Sequence, residues 1–228
     1  MFNVKYKYAM VGVLFAALLA YQTGAPTTAS SAAPPHVVGN TIGEWSAAWW
    51  QWALSFPVTS NPMVDATGAF CALGQQGPTW YLAGVNGGGT AERSCAIPRG
   101  KSILFPIANN FWIQTPLDDP TNTETDFRQF ASDFLPPSLG GDLEATLDGV
   151  PIVFNFKTPI VRSQSPVFTA TFPFDNIFGL DPALLTGFPI VSDGFWVMLP
   201  PLAPGEHLLH FRAGSAQNVT YHLTIGNP

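Results

Sequence analysis

Basic residues are scarce in this chain. Nine Lys and Arg stand against fifteen Asp and Glu in 228 residues, and two of the nine, Lys5 and Lys7, fall in an N-terminal leader-like segment. The remainder of the chain has seven basic against fifteen acidic residues, a formal charge of −8. No Lys/Arg run occurs. Nucleic acid and anionic membrane surfaces both require clustered positive charge, so neither is an expected partner. Chemical motifs are missing too. There is no Gly-x-Ser-x-Gly and no His-Glu-x-x-His. Asn86-Gly87-Gly88-Gly89 is followed by neither a Lys nor a helical pattern, and reads as a strand connection rather than a phosphate loop. Asp65-Ala66-Thr67-Gly68 is similar to the Asp-Thr-Gly of aspartic proteases, but those need two copies and only one is present.

Long apolar runs are absent as well. The longest, Tyr8 to Tyr21, falls short of the roughly 20 residues of a membrane span. Placed after Lys5 and Lys7 and before QTGAPTTASSAA, it reads as a secretory signal over residues 1–29. Contact with a membrane is expected only through this segment, if it stays uncleaved. Residues 30–40 read as a Pro- and small-residue linker, and residues 41–228 as one domain, secreted or periplasmic. Only two cysteines occur, Cys71 and Cys95. In an exported chain an even count reads as one disulfide rather than a catalytic thiol.

Proline, by contrast, is abundant. Its 22 copies are spread along the chain and cut it into short segments, which suits strands and excludes a helical bundle. The helical exception is EWSAAWWQWALSFP, residues 44–57, with four of the seven tryptophans. Thr41-x-x-Glu44 is a capping box, and the helix is expected from about Ile42 to Ser55, stopped by Pro57. Trp45, Trp49, Trp52 and Phe56 form one stripe, read as a core-facing staple. Trp50 points to the opposite side and is the residue expected to stack on a ligand.

Beyond the helix the period becomes strand-like. Strands are expected at Ala69–Leu73, Thr79–Gly84, Glu92–Ile97, Ser102–Ile107, Phe111–Ile113, Val167–Phe172 and Pro189–Leu199. Asp148-Gly149 is a hairpin turn between LEATL and VPIVFNF. Phe127, Phe130, Ala131 and Phe134 mark a short amphipathic helix at 125–134. Val219, Tyr221, Leu223 and Ile225 alternate inward, with Thr220, His222 and Thr224 outward. The expected fold is an antiparallel β-sandwich, Ig-like or jelly-roll-like, with an N-terminal Trp-rich helix and one short inserted helix.

Two resemblances bear on this reading. Leu202-Ala203-Pro204-Gly205-Glu206-His207 resembles the corner of Ig-like and fibronectin type III sandwiches, where a Tyr hydroxyl bonds back to the backbone; His207 stands in the place of that Tyr. More widely, WQW, NPMVDATGAFCALGQQGPTWYLAG, CAIPRGK, FPIAN and PLAPGEH are similar to a group of uncharacterised secreted bacterial proteins. That resemblance spans most of the chain after the leader and implies no activity.

The candidate site residues form separate groups. His210 and His222 flank the 213–218 turn and are expected on one outward face, where two imidazoles with a third ligand chelate Zn²⁺ or Cu²⁺. Asp118, Asp119, Asn122, Glu124 and Asp126 offer hard oxygens for Ca²⁺, or cap the turns and helix around them. Asp65, Glu206 and His207 are the acid–base candidates, Asp65 otherwise capping a turn. No cofactor is expected, calcium being the alternative. The leading expectation is a non-enzymatic exported module that binds carbohydrate or an apolar extracellular ligand. The alternatives are a secreted hydrolase using Asp or Glu with His, and a metal-binding sandwich.

Overall fold

The computed structural model describes residues 41–135, 142–152 and 160–226. The expected leader 1–29, the linker 30–40 and most of the expected VPIVFNF strand lie outside these residues.

The capping box forms as the sequence dictates. Thr41 Oγ1 accepts from the Glu44 N–H at 3.2 Å, and Glu44 Oε2 accepts from the Thr41 N–H at 2.9 Å. This starts helix α1, Ile42–Leu54. A second box, Thr123 with Asp126, starts α2, Glu124–Asp133. The strands are β1 Thr79–Tyr81, β2 Gly89–Pro98, β3 Ser102–Ile113, β4 Leu143–Leu147, β5 Val150–Pro151, β6 Val161–Gln164, β7 Ile190–Leu199, β8 Gly205–Ala213 and β9 Gln217–Gly226.

They form two sheets, ordered β1-β3-β7-β6 and β2-β9-β8-β4-β5. Alternation places Phe105 and Val197 of the first sheet against Phe211, Val219 and Leu223 of the second, all fully buried. Phe105 and Phe211 meet at 4.9 Å between ring centroids. Each such side chain contributes on the order of 1.5–3 kcal/mol by burial. The chain is thus a β-sandwich, but its sheets are mixed rather than purely antiparallel. β1 runs parallel to β3, and β2 runs parallel to β9 over ten residue pairs. The Pro98–Lys101 turn carries the chain from one sheet to the other, so β2 and β3 do not pair with each other.

The helices cover the first sheet. α1 lies on its outer face, where Trp49 meets Trp196 at 5.5 Å and Ser46 Oγ lies 3.2 Å from Ser192 Oγ. α2 packs through Phe127 and Ala131 on Trp112 and Val191. The alternation of β7 puts Val191 in phase with the inward Phe195 and Val197, so α2 covers the part of the first sheet that overruns the second.

Several expected elements differ. Ala69–Leu73 is a run of turns, because Asp65 Oδ1 and Oδ2 accept from the Thr67 and Phe70 N–H groups and wind the chain back on itself. Ser102–Ile107 and Phe111–Ile113 are one twelve-residue strand, with a register shift between Pro106 and Ala108. Val167–Phe172 makes only a single bridge, Phe168 to Ile190. The Asp148-Gly149 turn is present, with φ of 53° and 76°, the left-handed pair that a two-residue hairpin of this type requires.

Trp50 also departs from expectation. It does not face solvent: it is 6% exposed, against 1% for Trp49. Its ring lies 4.6 Å from Phe111 and 5.0 Å from Trp49. α1 is not one-sided, since nine of its thirteen residues are buried.

Candidate functional site

A cavity of about 400 Å³ opens where α1, β3 and the end of the second sheet meet. α1 supplies Trp49 and Trp50, and β3 supplies the run Ala108–Phe111. The loop Gly84–Gly88 and the β8–β9 turn, with Ala216 and Gln217, close the other sides. β1 pairs with β3 only as far as Leu104, so among the described residues the edge of β3 beyond it has no strand partner at this point. Aromatic and aliphatic side chains form most of the wall, among them Trp50, Phe111, Phe178 and Met63. The polar side chains are all neutral amides: Asn86, Asn109, Asn110 and Gln217. Among the described residues, no ionisable side chain lines the cavity.

Among the described residues, two that line the cavity carry a side-chain nitrogen that is buried away from solvent and has no hydrogen-bond partner. The Trp50 indole Nε1 and the Asn109 Nδ2 are both buried without a hydrogen bond. Each such group costs about 1–3 kcal/mol relative to a satisfied one. The contrast within α1 is direct. Trp49 Nε1 donates to the Leu82 carbonyl at 2.9 Å, and Trp52 Nε1 to the Leu73 carbonyl at 2.8 Å.

A buried polar lattice holds the loop wall in place. Arg93 points inward from β2 and is 2% exposed. Its Nε donates to the Asp65 carbonyl at 2.7 Å, and its Nη1 donates to the Ala83 and Gly84 carbonyls and the Tyr221 hydroxyl at 2.6, 3.1 and 2.8 Å. The Tyr221 hydroxyl in turn donates to the Ala83 carbonyl at 2.9 Å. Gln217 spans the remaining gap: its Oε1 accepts from the Val85 N–H at 3.0 Å, and its Nε2 donates to the Ile107 carbonyl. Gly88 suits this wall because its φ is +86° and a Cβ would fall 2.4 Å from the Ala216 carbonyl oxygen.

The residues singled out from the sequence, Trp50 excepted, lie elsewhere. Asp65 caps its turn, with Thr67 Oγ1 as a third donor at 3.0 Å. Burial pushes its carboxyl up, but the donors from Phe70 and Thr67 outweigh this and hold it below the usual carboxylate range. Glu206 Oε2 accepts from the Thr224 hydroxyl at 3.0 Å. His207 occupies the corner. Its Nε2 lies 2.9 Å from the Ala203 carbonyl and its Nδ1 2.7 Å from Asp148 Oδ2, so both ring nitrogens face acceptors. The Asp148 carboxylate, and then the Ala203 carbonyl, raise its pKa.

His210 and His222 do share the outward face of the second sheet, as diagonal neighbours opposite Thr220 and Leu208. Each engages its own partner: His210 Nε2 lies 2.8 Å from Asn218 Oδ1, and His222 Nε2 lies 2.8 Å from Glu92 Oε1. The acidic loop is divided in the same way. Asp118 accepts from Thr115, Asp119 from Thr121, Asp126 from Thr123, and Glu124 pairs with Arg128. Asn122 Nδ2 donates to Gln114 Oε1 at 3.4 Å. Among the described residues, no three His, Cys, Asp or Glu side chains gather around one metal-sized point. Cys71 and Cys95 are joined in a disulfide with Cα atoms 5.9 Å apart, tying the 65–71 turns to β2.

Arg93, Tyr221, Asn109 and Gln217 were not singled out from the sequence. Arg93 carries a readable signal, since it falls in phase with Ala91, Cys95 and Ile97 on the inward face of an expected strand. The chain matches no protein-family model, no curated protein and no solved structure, so its functional reading rests on this geometry.

Proposed function

We propose that this is an exported, non-enzymatic β-sandwich that binds a small ligand in the cavity beside Trp50. The observation that carries the reading is the make-up of the cavity wall, mostly aromatic and aliphatic with the neutral amides Asn86, Asn109, Asn110 and Gln217 placed among them. About 400 Å³ lies within the range of small-molecule sites, roughly 300–1,000 Å³, and such sites combine apolar walls with a few placed polar groups. The disulfide and the signal-like N-terminus support export. A binding role is favoured over a secreted hydrolase because Asp65, Glu206, His207, His210 and His222 all stand away from the cavity wall and are held by other partners.

The test is a thermal-shift screen with oligosaccharides and with neutral apolar compounds, run on the disulfide-bonded chain and on Ala216→Trp. Ala216 is an exposed residue at the cavity wall, so an indole there blocks the mouth without disturbing the core. Compounds that raise the melting temperature of the parent chain and leave Ala216→Trp unmoved are the expected result. Identical responses from the two chains refute the reading.

A further inference from the structure

The chain contains three Asn-Gly or Asp-Gly steps: Asn86-Gly87, Asp148-Gly149 and Asp193-Gly194. At such a step the following backbone nitrogen can reach the side-chain Cγ and close a ring, because glycine has no side chain to obstruct the approach. The structure separates the three. Asp193 is 1% exposed, its carboxylate is held by Arg162, and Gly194 pairs on both sides, with Asn109 and Ser163. Asp148 is pinned by the Leu208 N–H on Oδ1 and by His207 Nδ1 on Oδ2. Nothing comparable holds Asn86. It and Gly87 are exposed in the Gly84–Gly88 loop. Among the described residues, neither the Asn86 side chain nor the Gly87 N–H has a hydrogen bond. Gly87 has a φ of +75°, and a Cβ there would meet no atom within 4 Å. Both reacting groups therefore lie unrestrained in an exposed turn, closed by the Gly88 N–H donating to the Val85 carbonyl at 3.0 Å.

We propose that Asn86 is a site of spontaneous deamidation, with water as the only co-reactant. The Gly87 nitrogen loses its proton and bonds to Asn86 Cγ, while the Cγ–Nδ2 bond breaks and Nδ2 leaves, protonated, as ammonia. Water then opens the ring at one of its two carbonyls. Cleavage between Cγ and the nitrogen leaves aspartate. Cleavage between the backbone carbonyl carbon of residue 86 and the nitrogen leaves isoaspartate, whose main chain runs through Cγ and is longer by one methylene. Both products add a carboxylate to a cavity wall that has no ionisable side chain among the described residues. Isoaspartate also lengthens the turn that Gly88 and Val85 close, beside the Val85 N–H held by Gln217 Oε1. The step is a slow, one-way change in the charge and shape of the cavity rim, and it proceeds whether or not the cavity binds a ligand.

The test incubates the disulfide-bonded chain in mildly alkaline and in mildly acidic buffer. Its peptides are then mapped by mass spectrometry, with fragmentation that tells isoaspartate from aspartate. Conversion is expected at Asn86 at least tenfold faster than at the exposed Asn218, which precedes Val219, or at either Asp-Gly step. It should be faster in the alkaline buffer, because the nucleophile is the deprotonated nitrogen. Asn86→Gln, which would need a larger ring, is expected to stay unmodified at that position and to melt with the parent chain. An Asn86 that converts no faster than Asn218, or at one rate in both buffers, overturns the assignment. The two products are separated from the parent by anion exchange. The isoaspartyl form is expected to melt below the parent chain, and the aspartyl form to melt with Asn86→Asp. An isoaspartyl form that melts with the parent overturns the effect on the loop and leaves the modification site standing.

Discussion

Trp49 and Trp50 are adjacent, both are indoles, and both are buried at 1% and 6% exposure. They differ in one respect that an indole-to-phenyl substitution isolates. Trp49→Phe deletes an N–H bonded to the Leu82 carbonyl at 2.9 Å and leaves that oxygen short of a donor, at about 1–3 kcal/mol. Trp50→Phe deletes an N–H with no partner, so the same kind of penalty is relieved. The volume lost is the same in both variants, and its cavity cost largely cancels in the comparison. Trp49→Phe is therefore expected to be less stable than Trp50→Phe by at least about 2 kcal/mol. With a urea m-value of about 2 kcal/mol/M, that is a difference of about 1 M in unfolding midpoint. The assay is equilibrium urea unfolding with the disulfide intact, followed by circular dichroism because the substitutions alter fluorescence. Equal midpoints would show that hydrogen-bond status does not distinguish the two indoles, and the case for an unmet donor at Trp50 would collapse with it.

Two further predictions concern other parts of the fold. Reducing Cys71–Cys95, which spans 24 residues, should cost roughly 3 kcal/mol, and the unreduced unfolded chain should yield no thiol to a labelling reagent; two labelled thiols would contradict the bond. At the corner, the His207 pKa is raised above 6.5 by Asp148 and the Ala203 carbonyl, so its contribution is complete below that value and is lost as pH rises through the raised one. Asp148, lowered below 3.8 first by His207 and then by the Leu208 N–H, contributes above that value and loses its contribution only at lower pH. The gap in melting temperature between the parent chain and His207→Leu should be wider at pH 5.5 than at pH 8.5, and a gap that does not change with pH would disprove the linkage.

The legible parts of this fold were those whose signal is local. The Thr41–Glu44 box, the Asp148-Gly149 turn and the strict alternation from Val219 to Ile225 depend on residues a few positions apart, and each is present. Trp50 shows where such reasoning stops. A helical wheel puts it opposite the Trp45–Trp49–Trp52 stripe, but which surfaces surround a helix is decided by distant segments. Here Phe111 and Trp49 enclose the ring. Asn109-Asn110 misled in a different way. Two amides interrupt an apolar strand, and on polarity alone they divide Ser102–Ile113 in two; the strand continues, pairing Asn109 with Gly194 and Asn110 with Asp193, and both amides line the cavity. The Cys pair was readable from compartment chemistry alone, whereas the parallel pairing of β2 with β9 has no local signature.

That pairing also sets the order in which the molecule can be completed. Among the described residues β2 finds its ladder partner only in β9, with Gly89 opposite Gln217 and Pro98 opposite Gly226. The intervening residues 99–216 must all leave the ribosome before the second sheet can close. Until then Cys95 lies on a strand with no neighbour in its sheet, and Arg93 lacks the Tyr221 hydroxyl, which accepts from it and shares its Ala83 acceptor. Contacts of such sequence separation make folding slow and leave β2, an edge strand even in the finished sheet, with neither side in a ladder until β9 arrives, open to capture by other chains. For this topology the vulnerable interval is the one between the emergence of β2 and the arrival of β9, and its length is set by the rate of chain delivery rather than by the stability of the finished sandwich.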